Sequence, residues 1–394
     1  MRAAACGHSR KRRHLRYAPA RGHHTPERAG ATSISRCEYE LPGCPHAPTG
    51  PFNGHSLAGD DKGMHLISAQ DLRRTTGDTR SLSRRYAQGE LVRVRKGVYA
   101  EKRAWVSLPP WERYVQTVRA VDLELPQSTF CLHTAAVIWD LELLAVPAYI
   151  HLSGATRGHT GRRKPTTSAA RDSSGQTGIE HITAYGIHRH FANAAAVQRG
   201  GLLVTPLAET VIGVIATEDF AAGVVLADHA ISSRRVSGPP LGKDELLRTA
   251  FTLESAARRN WVAQVLDFAS PQSESAGESL SRAQMHLLGF PAPMLQAKFL
   301  QEGSLLARTD FFWPKYRLIG EFDGDAKYLN DEYLGTQTAR QAVLAEKKRE
   351  DRLRAAGFRV VRWDWATASN PVRFAACLRQ AGLPSSRSRQ PGTR

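Results

Sequence analysis

From Leu66 onward the chain alternates between two apolar periods, and the switches between them mark out its elements. Ser68 caps a short helix that turns Ala69 and Leu72 inward, Gly77 breaks it, and Arg80 to Gln88 supplies a second helix that stops at Gly89. Leu91 to Tyr99 (LVRVRKGVY) reads as a hairpin turning at Lys96-Gly97, with Val92 and Val94 on one face and Arg93 and Arg95 on the other. Pro109-Pro110 opens a helix that carries Trp111, Tyr114, Val115 and Val118 on one side. His133 to Leu144 reads as an apolar helix and Tyr149 to Leu152 as a short strand. Thr205-Pro206 starts a buried helix through Ile215, and a further helix follows to Ile231. Beyond these, Ser275 to Leu288 has Leu280, Ala283, Leu287 and Leu288 at helical spacing, with Gly289 as its stop. Two apolar runs flank Trp313-Pro314-Lys315-Tyr316. A charged amphipathic helix from Gln337 to Ala356 closes at Gly357, and Arg359 to Trp363 reads as a strand.

At 394 residues the chain has room for two or three domains. The expected division is a basic disordered leader over 1–63, a module of two helices and a hairpin over 64–104, a connecting α/β domain over 105–270, an α/β domain over 271–384 and a disordered basic tail over 385–394. The leader mixes Arg, Gly, Pro, His and Ser without either period and carries ten Lys or Arg against five Asp or Glu. The abrupt onset of pattern at Met64 makes that residue an alternative start. No internal repeat is present.

The net charge of +17 favours nucleic acid or an acidic surface as partner. Five cysteines (Cys6, Cys37, Cys44, Cys131 and Cys377) form no CxxC pair and match no zinc spacing, which points to a reducing cytoplasm. No run approaches the roughly 18 apolar residues of a membrane span, and the Arg-rich start lacks the apolar core of a signal peptide. His181, His188 and His190 alternate in a strand-like segment, but with no acid at ligand spacing they read as surface or pairing residues. His133 reads as a capping or core histidine.

Two stretches carry candidate chemistry. In Thr309 to Tyr328 (TDFFWPKYRLIGEFDGDAKY), Glu321 and Asp323 share one face of a strand. If Pro314 turns the chain back, Asp310 lies about opposite Ile319 and diagonal to Glu321, near enough to share a hard cation such as Mg2+. The same spacing fits the solvated face of an ordinary antiparallel pair. In the helix, turn, helix and basic hairpin of 66–99, Arg80, Arg84 and Arg85 would enter a major groove, while Arg93, Arg95 and Lys96 would touch backbone, as in a winged helix. A helical hairpin with a solvated basic face has the same pattern.

The element order around the acids resembles the PD-(D/E)XK nuclease superfamily, in its branch related to very-short-patch-repair endonucleases. The resemblance covers about Ser275 to Leu383, through ES..R (Glu278, Ser279, Arg282), ARTDFFWP, GEFDG, E..R (Glu346, Arg349) and GFRVVRW. It implies a restriction-endonuclease-like α/β domain, Asp310 and Glu321 as ligands of Mg2+ or Mn2+, and Glu278 as an accessory acid. Where the superfamily has Lys two residues after the second acid, this chain has Asp323; Lys327 is the nearby substitute, or Asp323 is a third ligand, or activity is lost. Through GELVRVRKGVYA the winged-helix stretch looks like the N-terminal domain of AbiEi-type antitoxins, which implies DNA and a cognate toxin as partners. The fold class expected is therefore a multi-domain α/β protein, and the function either a metal-dependent endodeoxyribonuclease or a non-enzymatic antitoxin-type repressor.

Overall fold

A computed structural model describes residues 16–18, 65–75, 80–154, 160–171, 177–191, 195–301, 304–324 and 339–386. The protein is mixed α/β, and the chain divides into two compact units, one of residues 39–279 and one of residues 1–38 with 280–394. The boundary falls inside the helix Ala276–Leu287, nine residues beyond the position expected from sequence. Among the described residues no helix is long and apolar enough to cross a membrane.

The unit holding the C-terminal residues is built on a five-stranded sheet. Its order is Arg16–Ala18, Met294–Gln301, Ser304–Trp313, Leu318–Asp323 and Arg359–Asp364. The first four strands are antiparallel to their neighbours, and the last runs parallel to Leu318–Asp323 after a crossover through the helix Ala339–Ala355. The edge strand Arg16–Ala18 lies within the stretch expected to lack structure.

The central strands are apolar on both faces because both are covered. On one side Phe299, Phe312 and Ile319 pack with Leu353 of the crossover helix and with Phe358. On the other, Phe311 lies 5.4 Å from Trp363, which meets Phe374 of the helix Pro371–Gln380 at 5.2 Å. Asn370 caps that helix through the amides of Val372 and Arg373. Burial of each such ring stabilises by about 1.5–3 kcal/mol.

The turn between the two central strands is a 3-10 turn, Pro314–Tyr316, closed by Arg317 in the left-handed region at φ 46°. The Arg317 guanidinium donates to the carbonyls of Ala356 at 2.6 Å and Gly357 at 3.1 Å, satisfying orphan acceptors at the end of the crossover helix.

The other unit begins with a three-stranded sheet of Ile67–Ser68, Val98–Glu101 and Leu91–Arg95. The helices Ala69–Thr75, Arg80–Ala87, Lys102–Ser107 and Pro110–Glu124 accompany it. A six-stranded mixed sheet follows, ordered Val197–Arg199, Leu202–Val204, Thr129–Phe130, Tyr149–Gly154, Gly186–Phe191 and Gly161–Arg163. Helices Leu132–Ile138, Leu207–Ile215, Phe220–Ala230, Lys243–Ala250 and Ala256–Phe268 complete this unit's core, where Phe130, Ile138, Leu152, Ile212, Leu226 and Val265 are buried.

The apolar run expected to form one helix from His133 to Leu144 ends its helix at Ile138. Asp140 takes φ 54°, and its carboxylate accepts through Oδ2 from Arg199 and from Ser237, contacts that accompany the turn of the chain there.

Candidate functional site

The acids of the C-terminal unit sit where its central hairpin opens. Pairing runs from Trp313 with Leu318 to Phe311 with Gly320, so Asp310 and Glu321 occupy the next facing positions. This corrects the register expected from sequence: Ile319 faces Phe312, because four residues rather than two lie between the paired ends. Both acids are half-buried. The ladder gives way beyond Phe311, and the Phe322 amide donates instead to Asp310 Oδ2 at 2.8 Å. Asp310 is thus tied to the backbone beside Glu321.

Gly320 permits this strand to lie where it does. A Cβ there would stand 2.6 Å from Cη2 of Trp363 and 3.0 Å from Cζ3 of Trp313. Both indoles are anchored, Trp363 by donating to Ser281 Oγ at 2.8 Å and Trp313 by donating to the Pro291 carbonyl at 2.8 Å.

Asp323 is already engaged. Its Oδ1 accepts from Arg362 Nη1 at 3.0 Å, while Arg362 Nη2 lies 3.4 Å from Glu350, which also pairs with Arg354. Arg362 is the parallel register partner of Glu321. A guanidinium therefore stands among these acids, a residue that sequence reasoning missed because the parallel pairing is made across the crossover helix. Lys327 lies outside the described residues.

Glu278 is buried, and its carboxylate is used locally. It accepts from the Glu274 amide at 2.8 Å and the Ser275 hydroxyl at 2.9 Å, while its own amide donates to Ser275 Oγ at 3.1 Å. This is a reciprocal cap on the first turn of a helix.

Two carboxylates in facing positions are oxygen donors of the kind a hard cation takes, and Mg2+ needs only one or two of them besides waters and phosphate. Asp310, Glu321 and Asp323 do not gather into a group of three within mutual ligand distance among the described residues. The carboxylates in facing positions are thus Asp310 and Glu321, with Asp323 turned to Arg362.

The basic residues of the other unit separate into two kinds. Arg84, Arg93 and Lys96 are exposed, with Arg93 5.9 Å over the Tyr86 ring, and Arg80 is exposed at the start of its helix. Arg85 instead clamps Glu90 at 3.0 Å and Glu101 at 3.1 Å, joining its helix to the hairpin. Arg95 is buried and donates to Glu124 at 2.6 Å, so the expectation of an exposed wing residue does not hold there. A bulge between Arg93 and Arg95 breaks the alternation and sends Val94 and Arg95 both inward.

No family model matches the chain. Two uncharacterized proteins of Mycobacterium tuberculosis are similar to it, MT2308 of strain CDC 1551 / Oshkosh and Rv2248 of strain ATCC 25618 / H37Rv. Each is 30% identical over 164 residues, a match covering 39% of this chain and 58% of the relative. The chain thus spans less than two thirds of the length of the curated relatives it matches.

Proposed function

We propose that this protein binds DNA and hydrolyses its phosphodiester bonds with a divalent metal ion, through a restriction-endonuclease-like C-terminal domain aided by an N-terminal winged helix. The observation that carries the reading is the facing placement of Asp310 and Glu321 where the central hairpin opens. Mg2+ or Mn2+ held between these carboxylates and a phosphate would polarise the phosphorus and lower the pKa of an attacking water. The part of the protein is to hold the two acids still: the Phe322 amide fixes Asp310, and the packed indoles around Gly320 fix the strand that carries Glu321. Arg362 offers a fixed positive charge near the place where the superfamily pattern has lysine. Arg80, Arg84, Arg93 and Lys96 supply duplex affinity by neutralising phosphates.

The Asp323–Arg362 pair favours a second reading, a non-enzymatic antitoxin-type regulator whose nuclease-like domain has lost its lysine. Purified full-length protein incubated with supercoiled plasmid and Mg2+ or Mn2+ separates the two. The nuclease reading expects nicked or linear product that EDTA prevents; duplex binding with intact plasmid under both metals supports the regulator and overturns the nuclease.

A further inference from the structure

Sequence spacing gave no reason to group the histidines of the 39–279 unit, but its sheet does. Strands Tyr149–Gly154 and Gly186–Phe191 run parallel, with His188 opposite His151 and His190 opposite Ser153. Alternation puts His188 and His190 on one face of their strand, and the pairing brings His151 to the same face. Ring centroids are 3.8 Å apart for His188 and His190, 5.1 Å for His151 and His190, and 5.6 Å for His151 and His188. One nitrogen from each ring lies within 4.8 Å of the other two, the one such group of three among the described residues.

We propose that His151, His188 and His190 bind a divalent transition-metal ion of the Zn2+ class, with His133 supplying a fourth nitrogen oriented by Glu218. Imidazole donors without carboxylates select Zn2+, Co2+, Ni2+ or Cu2+ over Mg2+. His133 stands 5.1 Å from His151, ring to ring, but lies outside the group of three whose nitrogens are within mutual ligand distance, so its ring has to move inward to ligate the ion. Its Nε2 is bonded to Glu218 Oε1 at 2.6 Å, while its Nδ1 is buried and has no hydrogen-bond partner among the described residues. A carboxylate behind an imidazole whose other nitrogen is unspent is the arrangement that orients and strengthens metal-binding histidines. Within the trio the hydrogen bond is His151 Nδ1 to His190 Nε2 at 2.9 Å. Tetrahedral ligand nitrogens lie about 3.3 Å apart at ordinary Zn–N distances, so the pair needs to open by only a few tenths of an ångström. A cleft of about 270 Å³ is lined by His133, His151, Glu218 and the 143–148 segment, and so reaches one ring of the trio.

Burial, reinforced by neighbouring imidazoles and Arg162, holds the pKa of His151 down to about 2 and that of His190 to about 4. His188 is lowered by burial and by Arg162. Arg162, whose guanidinium sits 5.3 Å from the Tyr149 ring, opposes a cation here, and Glu218 offsets it.

The test is to strip the full-length protein with a chelator, dialyse it, and titrate Co2+ and Zn2+. The expected result is one equivalent bound per chain, with the visible d–d absorption of nitrogen-ligated Co2+ that Zn2+ then displaces. His188→Gln with His190→Gln should abolish binding while circular dichroism stays unchanged, and Glu218→Gln should weaken it by about 10–100-fold. Asp310→Ala with Glu321→Ala should leave it intact, which separates this site from the acidic one. Absence of a stoichiometric ion, or binding that survives the double histidine substitution, overturns the proposal. Should His188→Gln with His190→Gln fail to fold, Arg162→Gln provides a second reading: tighter binding supports the site, and unchanged affinity counts against it.

Discussion

Removing Arg95 should damage the fold rather than the proposed DNA-binding surface. Its side chain is 8% exposed and that of Glu124 15%, and they meet at 2.6 Å between the hairpin and the helix Pro110–Glu124. Arg95→Ala leaves Glu124 poorly solvated and unpaired, a change that costs about 3–5 kcal/mol in buried pairs. Glu124 keeps some access to water, so the lower end, about 3 kcal/mol, applies. For a unit of this size each kcal/mol moves the midpoint by about 2–4 °C, giving a fall of about 6–12 °C. Arg93→Ala, two residues away but exposed, should stay within about 0.5 kcal/mol of wild type. The assay is thermal or urea unfolding of both variants followed by circular dichroism, with duplex binding measured at a temperature where both are folded. Arg95→Met with Glu124→Leu should recover most of the loss, since apolar replacement of both partners is close to neutral. Equal stability of the Arg95 and Arg93 variants, or no recovery in the double variant, would refute the reasoning.

Three further outcomes follow. Gly320→Ala puts a Cβ 2.6 Å from the Trp363 ring, and overpacking of this kind costs about 1–3 kcal/mol; a melt matching wild type would mean the indoles do not close on that backbone. Neutralising Arg84, Arg93 and Lys96 singly should each reduce the slope of log affinity against log salt by about 0.9, read by fluorescence anisotropy on a duplex, whereas unchanged slopes would remove them from the phosphate interface. His229 is lowered chiefly by burial, and its Nδ1 accepts the Glu142 amide at 3.3 Å, so the neutral ring is the folded form. A depressed histidine contributes stability that is complete above its unfolded value of about 6.5 and lost as pH falls below it. Urea midpoints between pH 7.5 and 5.0 should therefore drop less for His229→Gln than for wild type, and equal drops would discard the assignment.

The sequence pattern is most legible where a single residue sets a local conformation. Pro110 at the start of its helix, Gly97 in the hairpin turn and Gly357 after the crossover helix all act where the chain order suggests. The common side of Glu321 and Asp323 follows from alternation alone. What alternation hides is local insertion and distant pairing. The bulge after Arg93 reverses which residues face inward, so Arg95 looks exposed on paper and is buried in the fold. His151 and His188 meet through parallel strands separated by a long excursion of chain, and neither periodicity nor composition encodes that neighbour. Arg362 reaches Asp323 by the same kind of pairing. Glu278 shows the opposite difficulty: a capping pattern, Ser275 followed three residues later by Glu278, is visible in the chain and is what the structure displays.

Metal-dependent hydrolysis through Asp310 and Glu321 is decided by single-turnover cleavage of a supercoiled plasmid in Mg2+, run beside anisotropy measurements of duplex binding, for wild type, Asp310→Ala and Glu321→Ala. Each substitution should lower the cleavage rate by at least about 10²-fold, as loss of a group stabilising the transition state does, while duplex affinity changes little. Cleavage by either variant at the wild-type rate would contradict it.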